Sequence, residues 1–226
     1  MKIRFTYTIP FFFAALFFLT ACNEKKQFKK EESSSVSEIN DPIGELGPKE
    51  YLQWYENPEN NFLLEKNMNE YSFVTLYKPV DYLALTELQQ LDQIDETEFG
   101  KIRKTYEGMK YFTFKISTNA TNDELVRYKL KPGEDYYDRL EYLSFKIQND
   151  FYLLNNSDTV NCSLCHFERS FGLAPVLTFV LGFENKKEKG DMTFVFEDRI
   201  FGNGTLKFLF NKDRMEKQPL LKIKKY

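Results

Sequence analysis

The chain has 226 residues, a formal net charge of −3 and only three cysteines, and aromatic residues make up 17% of it. A mildly acidic chain without a Lys/Arg-rich run in its globular part argues against nucleic acid as a partner. Three cysteines are too few for a disulfide-dense scaffold. The many Phe and Tyr residues and the few Gly and Pro residues favour β-strands over a helical bundle.

The first residues have the pattern of an export signal. Lys2 and Arg4 give a positive start, and the apolar run at 9–19 is too short to span a bilayer comfortably as a helix. A charged start, a short apolar region and a small-residue cleavage site are typical of a secretory signal rather than a membrane span. The pattern predicts a signal peptide over residues 1–21.

The sequence Leu19-Thr20-Ala21-Cys22 resembles the lipobox of bacterial lipoproteins. In that family the box cysteine receives a diacylglycerol thioether, the signal is cleaved directly before it, and the new amino group is often acylated too. The resemblance implies that Cys22 becomes the first residue of the mature chain and carries the lipid. Two or more acyl chains on this residue would hold the protein stably at a membrane. It also implies a lipid-anchored location in the cell envelope, at the periplasmic or surface face of the outer membrane.

Residues 22–50 are predicted to comprise the lipidated cysteine and a flexible tether. They are rich in charged and small polar residues, and large apolar side chains are scarce. Such a segment cannot offset the entropy lost on ordering by burying apolar surface. The remaining residues, 51–226, are enough for a single globular β-rich domain with a sizeable core.

Alternation of apolar and polar residues predicts the strands of this domain. One or two strands are expected between 62 and 76, a half-buried strand at 112–117, and another strand at 177–183. A glycine-rich turn makes 192–211 a hairpin. Residues 220–223 are expected to form an edge strand whose lysines discourage further pairing.

Two helices are predicted from apolar residues that recur every three or four positions. The first stripe consists of Leu85, Leu88, Leu91 and Ile94. The second stripe follows a Pro-Gly pair and consists of Leu140, Leu143, Ile147 and Phe151. Strands outnumber helices, and the short connections favour antiparallel pairing. The predicted fold class is therefore mostly β or α+β, with an antiparallel sheet or sandwich and two packed helices.

The segment Cys162-Ser163-Leu164-Cys165-His166 matches the c-type haem attachment motif. In that chemistry two thiols add to the haem vinyl groups and the adjacent imidazole ligates the iron. The surrounding residues alternate as in a strand, however, and a strand would point Cys162 and Cys165 to opposite faces, where they share neither a haem nor a disulfide. Haem attachment, a disulfide and two reduced, packed cysteines all stay open, and the alternation favours the last.

The stretch from His166 to Pro175, followed by Phe179-Val180-Leu181-Gly182-Phe183, is similar to a segment of uncharacterised Bacteroidota-type lipoproteins. The resemblance covers only this C-terminal part of the chain, and it implies no known activity.

Other catalytic patterns are not found in the sequence. It has no Gly-rich phosphate loop and no Gly-x-Ser-x-Gly elbow. A single histidine cannot build a histidine-rich zinc site, and no fourth ligand joins the two cysteines and His166 by spacing. No metal site is predicted, and no cofactor apart from the haem c alternative.

These observations define three functional hypotheses. The leading one is a membrane-anchored lipoprotein that serves as a non-catalytic binding or accessory subunit of an envelope assembly, with the membrane and other envelope proteins as partners. The alternative is a monohaem c-type electron-transfer lipoprotein that uses Cys162, Cys165 and His166. The third is a hydrolase or other enzyme that uses acidic residues of the second predicted helix: Asp135, Asp138 and Glu141.

Overall fold

The computed structural model describes residues 44–156, 158–169, 174–186 and 190–223. All of them belong to one unit of the chain, Asp41–Tyr226. The predicted signal peptide, Cys22 and most of the predicted tether lie outside the described residues.

Most strands of the domain belong to one antiparallel sheet. The strands of the described residues are β1 (Glu45–Leu46), β2 (Leu63–Met68), β3 (Tyr71–Lys78), β4 (Met109–Thr118), β5 (Phe151–Asn155), β6 (Asp158–Glu168), β7 (Val176–Glu184), β8 (Met192–Asp198), β9 (Gly204–Phe210) and β10 (Leu220–Leu221). Eight of them form the sheet, in the order β2-β3-β4-β7-β6-β5-β8-β9. The predicted edge strand near the C-terminus is shorter than expected, and it pairs in parallel with β1 as a separate ribbon. The predicted α+β class with an antiparallel sheet is confirmed.

Short helices connect and flank the strands. The α-helices of the described residues are α1 (Pro48–Glu56), α2 (Val80–Glu87), α3 (Glu96–Thr105), α4 (Tyr136–Glu141) and α5 (Lys212–Glu216), where the sequence predicted two. A π-helical turn, Tyr142–Lys146, and a 3₁₀ turn, Ile147–Asp150, continue α4 towards β5. No helix in the described ranges has the length and apolarity needed to cross a membrane.

The sheet curls so that its two halves pack their inner faces against each other. Phe112 and Phe114 of β4 lie 5.2 and 5.5 Å from Phe194 of β8, measured between ring centroids. Three strands separate β4 from β8 in the sheet, so these contacts require the sheet to fold back on itself. At the edges, the Lys66 ammonium of β2 lies 5.7 Å from the Phe208 ring of β9. Each close aromatic pair adds about 0.5–1.5 kcal/mol beyond the area that it buries.

Helix α1 joins the core and begins earlier than the predicted domain boundary. Tyr55 is fully buried, and its hydroxyl donates a hydrogen bond to Oε1 of Gln218 at 2.6 Å. The helix begins at Pro48, and Glu45 already pairs with β10. Regular structure therefore extends into the stretch predicted as tether, because pairing with β10 gives these few residues backbone partners.

The helix predicted over 85–94 is placed wrongly. Helix α2 ends at Glu87, and the next helix starts after Asp95, which accepts two backbone N–H hydrogen bonds as its N-cap. Leu85 and Ile94 are both buried although the chain between them leaves the helix. The apolar repeat therefore reflects burial and not a continuous helix.

The second predicted helix is largely correct. Leu143 and Ile147 are fully buried, as their spacing predicted. Only α4 is α-helical, however, and Phe151 is already the first residue of β5. The stripe therefore crosses a boundary between a helical segment and a strand.

A partly buried ion pair holds the start of α4. Arg139 is 1% exposed, and its Nε and Nη2 donate to Oε1 and Oε2 of Glu134 at 2.5 and 2.7 Å. The guanidinium also lies 5.7 Å from the ring of Phe201, in the β8–β9 turn. The hydrogen bond from Arg139 is the largest cause that lowers the pKa of Glu134 to about 2.

We predict that Glu134→Gln lowers the free energy of unfolding by about 3 kcal/mol at pH 7, because it leaves the buried charge of Arg139 without its carboxylate. Folding lowers the pKa of Glu134 from 4.5 to about 2, so its stabilisation is complete above pH 4.5 and is lost as the pH falls towards 2. Urea denaturation at pH 7 and at pH 3 should show a smaller difference between wild type and variant at the lower pH.

The matched control is Glu141→Gln, because Glu141 forms an exposed ion pair with Lys146. Its loss should change the free energy of unfolding by less than about 1 kcal/mol. A difference between wild type and Glu134→Gln that is the same at both pH values would contradict the assigned role of the ion pair.

Candidate functional site

The segment Cys162–His166 lies in β6, as the alternation predicted. The first part of β6, residues 158–161, pairs with β5, and the rest pairs with β7. The segment therefore lies where one half of the curled sheet passes into the other.

A β-bulge interrupts β6 within this segment. The pairing with β7 shifts by one residue: Cys162 is opposite Phe183, then Leu164 is opposite Gly182 and Cys165 is opposite Leu181. Ser163 is therefore the extra residue of the bulge. An extra residue bends the strand and reverses the faces that the following side chains occupy.

The bulge puts both cysteines on the core-facing side of β6. Cys162 is buried before the bulge, whereas Cys165 is half-buried and Phe167 buried after it. The prediction that Cys162 and Cys165 point to opposite faces is therefore wrong. The two adjacent apolar residues Leu164 and Cys165 are the one sign in the sequence that the alternation changes phase.

Side chains satisfy backbone groups at the bulge. Nε2 of Gln148 donates to the carbonyl of Cys162 at 2.9 Å. The Cys162 thiol donates to the carbonyl of Leu164 at 3.0 Å, and a longer contact of 3.7 Å joins it to the carbonyl of Gly182. The thiol of Cys162 gives the carbonyl of Leu164 a hydrogen-bond partner, so Cys162 is a structural part of the bulge.

Both thiols are poorly suited to nucleophilic chemistry. Cys162 and Cys165 are free in the structure. Burial raises the pKa of Cys162 to about 11 and that of Cys165 to about 12, and the neighbouring Cys162 raises the pKa of Cys165 further. The thiolate is the reactive form of cysteine, so little of it is present at neutral pH.

His166 faces away from the two thiols. It lies on the outer side of β6, exposed like Leu164 and Glu168. Attachment of haem c requires both thiols and the imidazole to reach one macrocycle. Cys162 and Cys165 face the core while the imidazole faces outward, so the three residues do not fit a haem c site. This misfit comes from the outward direction of His166. It does not come from cysteines on opposite faces of the strand, which the sequence had predicted.

The acidic residues of the third hypothesis have structural roles. Asp135 and Asp138 form a capping box at the start of α4, and Glu141 pairs with Lys146 at 2.7 Å. Within the described ranges, no group of three or more His, Cys, Asp or Glu side chains is arranged to hold a metal ion.

A polar cluster that the sequence analysis did not single out joins the end of the helical segment to the β8–β9 turn. The buried carboxylate of Asp150 accepts a hydrogen bond from the hydroxyl of Tyr142 and pairs with Nε of Arg199 at 3.0 Å. Arg199 also pairs with Glu197 at 2.9 Å. Burial raises the pKa of Asp150 above its ordinary value. No local spacing connects Asp150 with Arg199, because the sheet topology brings them together.

Comparison with known proteins assigns the chain to no family. No family model matches the chain, and no curated protein matches it. Among solved structures, the chain is similar to a DUF4426 family protein from Pseudomonas aeruginosa PAO1. The sequence identity is 6% and the TM-score is 0.34, over 67% of this chain and 93% of that chain. A similarity at this level supports no statement about family or activity.

We predict that Gln148→Ala lowers the free energy of unfolding by about 1–3 kcal/mol, because it leaves the carbonyl of Cys162 without its donor. Asn149→Ala is the matched control, since the amide of Asn149 donates to the carbonyl of Lys146 on the exposed surface. It should change stability by less than about 0.5 kcal/mol. Urea denaturation of both variants measures the difference, and equal effects would show that the bulge does not depend on Gln148.

We also predict that the protein carries no haem when it is produced in cells able to mature c-type cytochromes. A pyridine haemochrome assay should show no band, and titration after unfolding should find Cys162 and Cys165 as free thiols. Cys162→Ser and Cys165→Ser should each cost modest stability through lost packing, without a change in visible absorbance. A haemochrome band together with two blocked thiols would reverse this conclusion and make His166 the iron ligand.

Proposed function

We propose that this protein is an exported lipoprotein whose domain is a non-catalytic binding or accessory subunit of an envelope assembly. The observation that carries the proposal is Leu19-Thr20-Ala21-Cys22, placed after a short apolar run with a positive start. On this proposal Cys22 bears the lipid, residues 1–21 are removed, and the domain is held at the outer membrane.

The length of chain before the domain suits this role. As a flexible coil, the stretch from Cys22 to Gly44 would span about 25 Å on average and about 75 Å when fully extended. A domain on such a tether can meet partners near the membrane without lying on it. Association with other envelope proteins is therefore the kind of function that we assign to it.

The arrangement of the candidate catalytic residues favours a binding role over an enzymatic one. The thiols of Cys162 and Cys165 face the core and have raised pKa values. His166, the chain's one histidine, lies on the opposite face. The carboxylates near α4 cap the helix or pair with Lys146. The electron-transfer alternative finds no support in this arrangement.

We predict that Cys22 alone attaches the protein to the membrane. In a Gram-negative host, the wild type should fractionate with membranes and incorporate a labelled fatty acid. Cys22→Ala should give an uncleaved or soluble exported form without label. Cys162→Ser is the matched control, because it removes a cysteine of the domain and should leave the labelling unchanged. Fatty-acid label that persists in Cys22→Ala would contradict lipidation at this residue.

The accessory role has its own readout in the same cells. Cross-linking of intact cells should recover the anchored wild type together with envelope proteins, and Cys22→Ala should lose those adducts while its domain stays folded. Recovery of the anchored protein only as a free monomer would argue against an envelope assembly, even if lipidation at Cys22 is established.

A further inference from the structure

The bulge in β6 makes Cys162 and Cys165 neighbours along one face of the strand. They are opposite Phe183 and Leu181, which are two residues apart on β7. Their Cα atoms are therefore separated by about 6.4–6.8 Å, twice the rise per residue of a strand. This separation is at the upper end of the range for a disulfide. A disulfide also needs Cβ atoms that converge to about 4 Å, whereas side chains on one face of a strand project in parallel. A bridge longer than one S–S bond fits this pair better.

We propose that Cys162 and Cys165 form a two-coordinate site for a thiophilic monovalent cation of the Cu(I) type. When two metal–sulfur bonds lie in line, the two sulfur atoms are roughly twice as far apart as in an S–S bond. Thiolate sulfur is a soft ligand that selects Cu(I) over harder cations. Structural zinc takes four ligands, and the described residues supply no third Cys, His, Asp or Glu beside the two thiols.

The surroundings of the thiols suit such an ion. Phe167 and Phe179 stack at 5.2 Å on the same face of the sheet, and Leu181 and Phe183 are fully buried opposite the two cysteines. An apolar shell of this kind limits the access of water to a bound metal. Cys165 is half-buried and gives the ion a path from the surface.

Binding exchanges protons for the metal without electron transfer. Both S–H bonds break, two S–Cu bonds form, and two protons pass to solvent, so copper remains Cu(I). The thiol of Cys162 gives up its hydrogen bond to the carbonyl of Leu164. Since two protons leave, the apparent affinity should rise about 100-fold for each pH unit below the pKa values of the thiols.

The test uses the full chain in detergent with Cys22→Ala, so that Cys162 and Cys165 are its only thiols, reduced and kept free of oxygen. Cu(I) is titrated into it against bicinchoninate, a coloured chelator of Cu(I), at two pH values one unit apart. About one Cu(I) per chain should be withheld from the chelator, with the expected pH dependence. Cys162→Ser and Cys165→Ser should each abolish this binding. His166→Asn is the matched control and should bind like the wild type, because the imidazole lies on the opposite face.

Absence of cysteine-dependent binding would overturn the proposal, and so would loss of binding in His166→Asn. In the chain purified without reductant, an intact mass lower by two hydrogens, with no free thiol, would show a disulfide instead and would also overturn it. If Cys162→Ser does not fold because the buried position loses packing, Cys165→Ser still decides the question. All of these outcomes are independent of lipidation at Cys22.

Discussion

The bend of β6 is the constraint on which the fold depends. The aromatic core requires the half of the sheet that contains β4 to face the half that contains β8, as in the contacts of Phe112 and Phe114 with Phe194. Within the sheet, β6 is the strand that joins the two halves, because it pairs with β5 at one end and with β7 at the other. Strands that pass from one packed sheet to another do so through bulges or bends. The bulge at Ser163 supplies the bend at the junction.

The helical segment before β5 protects the part of β6 that β5 does not reach. Near one end of the segment, Nη2 of Arg169 donates a hydrogen bond to the hydroxyl of Tyr136 at 3.1 Å. Near its other end, Gln148 donates to the carbonyl of Cys162. The segment therefore runs along the length of β6 that pairs only with β7. Covering a strand edge with a helix is a common way to prevent further pairing.

The sequence predicted those elements whose pattern is local. Alternation located β3, β4, β7 and the β8–β9 hairpin, because a half-buried strand shows its period of two in its own residues. The helix expected over 85–94 failed because apolar spacing reports burial, and Asp95 starts a new helix where the spacing runs on. The direction of the two thiols was missed because it depends on the register between β6 and β7, which only the adjacent Leu164 and Cys165 indicate in the sequence. The residues of the haem motif are neighbours along the chain, but the strand points His166 to the face opposite the two cysteines.

The residue opposite the bulge shows how the neighbouring strand controls the motif. Gly182 of β7 faces Leu164, and a Cβ atom added there would lie 2.7 Å from Cε of Met109 and 3.3 Å from Cβ of Leu164. The flexible end of Met109 can move, but Leu164 is fixed by the strand, so a larger residue would press on the bulge itself. The bulge and this glycine are therefore one structural feature. Cys162 and Cys165 share one face of the strand because of the bulge. The bulge depends on Gly182 across the ladder as much as on the five residues of the motif.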